Sequence, residues 1–202
     1  LRAYAERGPE AITTGAMAEA VEAASRRHGG ILTARDLAAY EPVWREPVTF
    51  GAFGWEVVSM DLPSSGGILL GQTLGMLERL DWGGLPRFGA DRAHLLAEVW
   101  RRAYADRFNL GDPTRATAAE LLDPEWLAAR VAAIDRSRAT PSGEVQPIPE
   151  AEPAEAAATT HLSTADAAGN LVALTTALNG AFCCGLLVPE AGFLLNNEMD
   201  DF

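Results

Sequence analysis

The sequence predicts an α+β fold, and three features of the chain indicate it. Apolar residues recur at three- and four-residue spacing over much of residues 1–136, which is the period of amphipathic helices. A proline-rich stretch without aromatic residues follows over residues 137–158. From residue 159 onwards the pattern changes to the two-residue period of β-strands. We therefore expect a helix-rich segment at 1–136, a flexible linker at 137–158 and a β-segment at 159–202.

Turn and capping residues delimit the first elements. Apolar residues at helical spacing run as far as Ala24, and Gly29 supplies the permissive backbone that ends a helix. Thr33, followed three residues later by Asp36, matches a capping pattern and predicts a short helix over Ala34–Ala39.

A hairpin and three helices are expected next. Apolar runs on either side of Gly51–Gly54 indicate two strands joined by a turn. Apolar stripes predict helices over 66–80 and 92–108, the second with Trp100 and Tyr104 on its stripe. Three glycines at four-residue spacing in the 66–80 helix indicate close packing rather than a phosphate-binding loop. Asp123-Pro124 is typical of a helix start, and that helix should reach about residue 135.

Composition distinguishes the linker from the β-segment. Residues 137–158 contain four prolines and several glutamates, so the stretch buries too little apolar surface to fix its conformation. Beyond it, a turn at 167–170 separates two strand-like runs, which predicts a hairpin of His161–Ala165 with Leu171–Thr176.

Length and charge exclude several classes of protein. A chain of 202 residues with 48% hydrophobic content can bury a core and has ordinary globular composition. Its formal net charge of −12 argues against nucleic acid and against an anionic membrane surface as partners. No apolar run reaches the ~18 residues that a transmembrane helix needs. We therefore expect no nucleic-acid partner and no membrane span.

Two threonines, Thr159 and Thr160, directly follow the predicted linker. A threonine hydroxyl becomes an effective nucleophile when the residue is the first of its chain, because its own α-amine then acts as the base. Cleavage after Ala158, in a flexible connector, would create this state. β-Propensity alone also explains two threonines before a strand, so the pattern needs further support.

Longer motifs give that support. The β-segment opens with Thr159-Thr160-His161-Leu162-Ser163, and the chain closes with Leu194-Leu195-Asn196-Asn197-Glu198-Met199-Asp200-Asp201-Phe202. These runs resemble the start of the small subunit of the γ-glutamyltranspeptidase family. Upstream, Pro63-Ser64-Ser65-Gly66-Gly67 and Gly111-Asp112-Pro113 are similar to the family's large subunit. The resemblance covers nearly the whole chain, whereas family members are considerably longer at both ends.

This resemblance implies an N-terminal-nucleophile hydrolase that matures by self-cleavage between Ala158 and Thr159. The fold would be part of an αββα sandwich, in which a helix-rich large-subunit segment precedes small-subunit strands. Thr159 would attack a small γ-glutamyl amide such as glutathione, hold the γ-glutamyl group as an ester and pass it to water or an amine. Asn179, Glu198 and Asp201 would bind the α-amino end of the substrate. We expect no cofactor, a periplasmic or secreted location, and a second copy or partner chain that completes the sheet.

Glu198 and Asp201 fit other interpretations as well. A solvated acidic turn is one, and a calcium site is another, although no twelve-residue loop pattern supports calcium. Two carboxylates directed at one point suit a substrate ammonium group, which is the interpretation that the resemblance favours. We expect no metal.

The chain departs from the family in two respects. Ala177 occupies a position where most members carry a threonine whose hydroxyl bonds the nucleophile, and strand alternation places Thr175 and Thr176 elsewhere. We expect slow maturation or slow hydrolysis as a result. The family's oxyanion-hole glycines and carboxylate-binding serines would lie beyond Phe202, and its carboxylate-binding arginine before Leu1. A chain without oxyanion donors should be nearly inert.

Three hypotheses therefore compete. The leading one is γ-glutamyl transfer or hydrolysis, and a β-lactam side-chain acylase would use the same machinery. The third is a truncated or degenerate relative that is catalytically inactive and acts as a binding or assembly module.

The remaining polar candidates have structural explanations. His161 lies on the same strand face as Thr159, but the α-amine already fills the role of base. His28 suits a helix C-terminus, and we expect His94, on a helix stripe, to be either packed or at the rim of the core. Cys183 and Cys184 are adjacent, which is unsuited to a disulfide framework, and we expect them to be buried small residues.

Overall fold

The computed structural model describes residues 1–107, 109–110, 116–146, 159–177 and 180–197, and these ranges have the expected α+β architecture. Their helices are α1 (Arg2–Arg7), α2 (Glu10–Thr13), α3 (Gly15–Arg27), α4 (Ala34–Ala39), α5 (Gly66–Glu78), α6 (Ala90–Arg107), α7 (Ala118–Leu121) and α8 (Pro124–Ala132). Their strands are β1 (Val48–Ala52), β2 (Trp55–Ser59), β3 (Thr159–Ala165), β4 (Leu171–Ala177), β5 (Leu187–Val188) and β6 (Phe193–Leu194). The strands pair in chain order into three two-stranded antiparallel sheets.

The chain forms two compact units. One comprises the described parts of Leu1–Trp44 and Glu155–Asp201, and the other comprises those of Arg45–Ala154. One unit thus combines described residues from both ends of the chain, and the other contains described residues between 45 and 146. The boundaries predicted after residues 136 and 158 mark the start of a linker and a cleavage point. They do not delimit compact units, so they stay predictions.

Several helix boundaries follow from local signals that the sequence carries. Thr33 caps α4, since its hydroxyl accepts a hydrogen bond from Asp36 N while the Asp36 carboxylate accepts one from Thr33 N. Asp123 caps α8 in the predicted manner, by accepting from the backbone N–H groups of Glu125 and Trp126. Helix α8 ends at Ala132, earlier than the expected end near residue 135.

In the first unit, a small core joins the N-terminal helices to the last hairpin. Val21 and Ala24 of α3 are buried together with Val188 of β5. Leu37 of α4 and Phe193 of β6 pack against these side chains. The strands at the end of the chain are therefore held by helices at its beginning.

Helix α5 lies at the centre of the second unit and is apolar on nearly every side. It packs against α6, α8 and β1. The core around it combines buried apolar side chains from four helices: Ile68, Leu69, Met76, Leu77, Leu95, Val99, Ala103, Leu121 and Leu127.

Glycines allow this close packing. Gly67, Gly71 and Gly75 lie at four-residue spacing along α5. A Cβ atom on Gly71 would lie 2.6 Å from Cδ2 of Leu122, and one on Gly75 would lie 2.8 Å from Cδ1 of Leu127. Gly71 and Gly75 therefore mark close packing between α5 and the α7–α8 region, as predicted. Gly67 instead allows close approach of the chain after β2, because a Cβ atom there would overlap Met60 O.

Charged residues of α6 occupy positions that the apolar stripe did not predict. Trp100 and Tyr104, expected in the core, are 49% and 55% exposed, whereas Glu98, Arg102 and Asp106 are buried. The expectation for the two aromatic residues is wrong, because hydrophobicity alone does not register charged groups that neutralise one another. Arg102 Nη1 lies 2.6 Å from Glu98 Oε2, one helical turn away.

Two residues from neighbouring helices join Glu98, Arg102 and Asp106 of α6. We call these five side chains the buried polar ladder. Arg130 of α8 forms an ion pair with Asp106. Gln72 of α5 donates from Nε2 to Asp106 Oδ2 over 2.8 Å. A buried charge is tolerated only when it is paired and hydrogen-bonded, and both acidic groups of the ladder meet that condition.

The ladder also holds the chain that follows α8. Glu98 accepts hydrogen bonds from Thr140 N (2.9 Å) and Thr140 Oγ1 (2.6 Å). Arg102 donates to Ala133 O and Arg130 donates to Gln146 O, each over 2.7 Å. The first part of the predicted linker, up to Gln146, therefore has defined contacts with α6 and α8. Residues 147–158 lie outside the described residues.

Within the described ranges, no helix is long and apolar enough to cross a membrane.

Replacing Glu98 by glutamine should destabilise the protein in a pH-dependent way. Burial raises the pKa of Glu98, but hydrogen bonds from Thr140 and Arg102 and the charge of Arg101 outweigh burial and lower the pKa to about 2 from 4.5. The folded pKa is below the unfolded one, so this stabilisation is complete above pH 4.5 and is lost as the pH falls towards 2. The shift corresponds to about 3 kcal/mol.

Urea unfolding at neutral pH and at about pH 3 tests this expectation. Glu98→Gln should have a lower free energy of unfolding than the unmodified protein at neutral pH, and the difference should narrow at the acidic pH. Glu125→Gln, an exposed substitution on α8, is the matched control. A difference between Glu98→Gln and the unmodified protein that stays constant with pH would contradict the assignment.

Candidate functional site

The first candidate residue, Thr159, begins strand β3. Its backbone pairs with that of Ala177, the last residue of β4, in an antiparallel register. The next pairs are Thr160 with Thr176 and His161 with Thr175. The hairpin is longer than predicted, because it also includes Thr159, Thr160 and Ala177. Thr175 and Thr176 pair with residues other than Thr159, as strand alternation predicted.

A hydrogen-bonded turn fixes this register. Asp166 Oδ1 accepts from the backbone N–H groups of Ala168 and Asn170, each over 2.9 Å, and Oδ2 accepts from Asn170 Nδ2 over 2.7 Å. The hydrogen bonds from the Asn170 side chain and backbone lower the pKa of Asp166. Gly169 has a φ of 88°, a conformation that glycine adopts without strain. Because the turn is specified, the pairing at the far end of the hairpin is specified as well.

His161 forms hydrogen bonds with other residues of the hairpin. Its Nδ1 lies 2.8 Å from Thr175 Oγ1 across the strands, and its Nε2 lies 3.1 Å from Ser163 Oγ. Both ring nitrogens therefore have partners on β3 and β4. These contacts favour the structural explanation of His161 over a role as general base.

The second part of the candidate site is a loop that folds back on itself. Gly180 N donates to Asn197 Oδ1 over 3.0 Å, although the two residues are 17 positions apart. Cys184 N donates to Leu195 O over 3.1 Å, and Leu195 N donates to Leu186 O over 2.9 Å. Beyond these bonds, β5 pairs with β6. Hydrogen bonds therefore hold together the whole loop, from Gly180 to Asn197.

The three predicted substrate-binding residues, Asn179, Glu198 and Asp201, lie outside the described residues. Gly180 follows Asn179 in the chain, and Asn197 precedes Glu198. The Gly180–Asn197 hydrogen bond therefore joins the chain neighbours of two of the candidates. Asn197 had no predicted role, because no local pattern reveals a side-chain contact between residues so far apart. The roles of the three candidates stay predictions.

The other candidates mostly have the expected structural settings. His28 is the C-cap of α3, and His94 Nε2 lies 2.9 Å from Asp135 O. The expectation for the cysteines is wrong: Cys184 is exposed and Cys183 is half-buried. They lie in a surface turn, so their small size does not imply burial. Across the described parts of the chain, no group of three or more His, Cys, Asp or Glu side chains could hold a metal ion.

Comparison with known proteins gives the class of fold to which these features belong. The structure resembles the crystal structure of cephalosporin acylase from Bacillus halodurans, with a TM-score of 0.80 and 25% identity over 100% of this chain and 35% of that chain. It also resembles Helicobacter pylori gamma-glutamyltranspeptidase, with a TM-score of 0.66 and 32% identity over 72% of this chain and 43% of that chain. The chain thus matches part of an N-terminal-nucleophile hydrolase fold.

Sequence comparison identifies the family within that class. The gamma-glutamyltranspeptidase family model matches residues 1–202. The chain is 40% identical over 208 residues to the glutathione hydrolase proenzyme of Escherichia coli (strain K12) and 34% identical over 210 residues to the acylase ACY 1 proenzyme of Pseudomonas sp. (strain SE83). Each alignment covers 100% of this chain and 35% or 36% of the relative. The chain belongs to the gamma-glutamyltranspeptidase family, and it spans about a third of the length of these relatives.

Asn197→Ala should release the amide of Gly180. A hydrogen bond of this kind contributes about 1 kcal/mol, so exchange of the Gly180 amide proton should become about five- to tenfold faster. Hydrogen exchange followed by NMR measures this rate. Asn170→Ala, which removes an equivalent side chain from the Asp166 turn, should leave exchange at Gly180 unchanged. If Asn197→Ala leaves that rate unaltered, the loop is not closed by this contact.

Proposed function

We propose that this protein transfers or hydrolyses γ-glutamyl groups by means of Thr159, after self-cleavage between Ala158 and Thr159. The observation that carries the proposal is the position of Thr159 as the first residue of β3, directly after residues 147–158. Membership of the gamma-glutamyltranspeptidase family supports it.

Cleavage would change the chemistry of Thr159 in one step. Within an intact chain the nitrogen of Thr159 is an amide and cannot accept a proton. Once the preceding peptide bond is broken, that nitrogen becomes an α-amine with a reference pKa of about 7.7–8.0, which can take the hydroxyl proton near neutral pH. The hydroxyl oxygen then attacks the γ-carbonyl carbon of the substrate. The amine of the substrate leaves with a proton, and the γ-glutamyl group remains on Thr159 as an ester.

The second half of the reaction releases that ester. Water gives glutamate, and an amine acceptor gives a new γ-glutamyl amide. In both cases the attacking group loses a proton and the Thr159 oxygen regains one. The α-amine is the group that can move this proton in each direction.

Asn179, Glu198 and Asp201 would bind the α-amino end of the γ-glutamyl group. Two carboxylates attract an ammonium group strongly when they are partly shielded from water, because charge-assisted hydrogen bonds are then stronger than neutral ones. The hydrogen bond between Gly180 and Asn197 supports this assignment, since it holds the neighbours of Asn179 and Glu198 together.

The β3–β4 hairpin would be one part of an αββα sandwich. Leu162 and Leu174 pair across the hairpin and are 45% and 51% exposed. Apolar residues of a sheet are normally covered by another layer. The greater length of the relatives supports the proposal that further strands, from the same chain or a partner, cover them.

A β-lactam side-chain acylase is the second candidate function. Two observations favour it: the identity to the acylase ACY 1 proenzyme and the similarity to cephalosporin acylase over the whole chain. Glu198 and Asp201 favour the first function, because an acyl side chain without an ammonium group gains nothing from two carboxylates. Ala177 favours the inactive binding module, because the neighbouring hydroxyl is missing.

Thr159→Ala should abolish both cleavage and γ-glutamyl turnover. The variant lacks the attacking oxygen, so we expect activity to fall by about a thousandfold or more. N-terminal sequencing and mass spectrometry would detect a fragment that begins at Thr159, and release of a chromogenic amine from a γ-glutamyl anilide would measure turnover.

Thr160→Ala is the matched control, because it removes the same side chain from the next residue of β3. It should still be cleaved and still turn over the anilide. Cleavage or undiminished turnover in Thr159→Ala would contradict the proposal, whereas hydrolysis of a β-lactam side chain in preference to the anilide would favour the acylase.

Ala177→Thr should accelerate maturation and turnover. It places a hydroxyl on the residue paired with Thr159, and one added hydrogen bond to the nucleophile is expected to raise the rates by about tenfold. Ala177→Val adds a side chain of the same shape without the hydroxyl and should give no increase. Equal rates in the threonine and valine variants would exclude the hydroxyl as the cause of slow reaction.

A further inference from the structure

His161 joins the two strands of the β3–β4 hairpin close to the end at which Thr159 lies. Its Nδ1 lies 2.8 Å from Thr175 Oγ1 on β4, and its Nε2 lies 3.1 Å from Ser163 Oγ on β3. His161 and Thr175 are paired residues, so the first contact runs directly across the hairpin. Within the described hairpin, two residue pairs lie beyond this contact, and the last of them contains Thr159.

The backbone hydrogen bonds of the hairpin explain why a side-chain contact forms at this pair. Asp166 N donates to Asn170 O over 3.1 Å, and antiparallel strands alternate between hydrogen-bonded and non-hydrogen-bonded pairs. Counted from the turn, His161 and Thr175 form a non-hydrogen-bonded pair. Side chains lie closest together in such pairs, so the short threonine side chain reaches the imidazole ring.

We propose that the hydrogen bond between His161 and Thr175 is a cross-strand pin that holds Thr159 in place for its reaction. Both residues are then positioning residues, because they act on Thr159 through the backbone of β3 and do not touch the substrate. The inference rests on the proposed function, since it concerns the chain end that self-cleavage would create.

The end of the hairpin at Thr159 needs such a contact. The Asp166 turn closes the opposite end of the seven residue pairs. Every residue of β4 before Ala177 is exposed, so burial contributes little to the hairpin in the described parts of the chain. Two-stranded hairpins are marginally stable by themselves, and chain ends are poorly ordered unless they are tied down. After cleavage, the pin would tie down β3 two residues from its free end.

The two hydroxyl partners of His161 make the pin independent of the protonation of the ring. A threonine or serine hydroxyl either donates or accepts, so it satisfies both tautomers of neutral histidine and also accepts from the protonated ring. The contact with Ser163 orients the ring from the same strand. This independence distinguishes a positioning role from that of a general base, which requires the neutral ring.

Thr175→Val removes the hydroxyl and keeps the shape of the side chain. Thr160 belongs to a hydrogen-bonded pair of the hairpin, by the alternation described above. Exchange of its amide proton should become about three- to fivefold faster when the pin is lost. Exchange at Val172, close to the turn, should stay unchanged, which excludes a general loss of stability. NMR on chains that also carry Thr159→Ala measures both rates without interference from cleavage.

Two matched variants control this measurement. Thr175→Ser keeps a hydroxyl and should restore the slow exchange at Thr160. Thr164→Val makes the same change as Thr175→Val at another exposed threonine of the hairpin and should leave exchange at Thr160 unaltered.

Turnover of a γ-glutamyl anilide tests the positioning role in chains that retain Thr159. Thr175→Val should lower kcat by about three- to fivefold and leave KM unchanged, because the proposed substrate-binding residues belong to neither strand of the hairpin. The ratio of the two kcat values should be the same at every pH, since the pin does not depend on ring protonation. Thr175→Ser should recover kcat.

Each outcome decides one part of the proposal. Unaltered exchange at Thr160 in the valine variant would overturn the pin. Faster exchange together with an unchanged kcat, or a fall in kcat that the serine variant does not recover, would overturn the positioning role. If the unmodified chain is neither cleaved nor active, the γ-glutamyl proposal fails and the positioning role fails with it, whereas the exchange rates still decide whether the pin exists.

Discussion

Antiparallel pairing between β3 and β4 decides which residue stands beside Thr159. The Asp166–Asn170 turn closes this hairpin through three side-chain hydrogen bonds, and Thr159 then pairs with Ala177 at the open end. Since strand side chains alternate with a period of two, a slip of one residue would bring Thr176 opposite Thr159 instead. This register therefore defines residue 177 as the neighbour of Thr159 across the hairpin.

A second constraint acts on the other half of the candidate site. The loop from Gly180 to Asn197 is closed by one side-chain hydrogen bond and by two backbone hydrogen bonds, one to the carbonyl oxygen and one from the N–H of Leu195. Val188, within this loop, is buried with Val21 and Ala24 of α3. The first helices of the chain therefore stabilise the loop that joins two of the proposed substrate-binding residues, which explains why both ends of the chain belong to one unit.

In the second unit, the main constraint is the burial of charged side chains. Charged residues of α6 are buried, and each acidic member of the ladder has a cationic partner, Arg102 for Glu98 and Arg130 for Asp106. The same arginines donate to carbonyl groups of Ala133 and Gln146. Charge neutralisation and attachment of the chain after α8 are thus achieved by one set of side chains, so that defined contacts extend to Gln146, twelve residues before Ala158.

Elements whose signals are local follow from the order of amino acids alone. Capping residues such as Thr33 and Asp123 mark helix starts, and the turn at 167–170 marks the hairpin, because each signal depends on residues within a few positions of one another. The terminal motif likewise pointed to the family. Three features emerge only from the folded chain: the buried side of α6, the accessibility of the cysteines and the hydrogen bond between Asn197 and Gly180. These features depend on partners distant in the chain, and neither hydropathy nor spacing carries information about such partners.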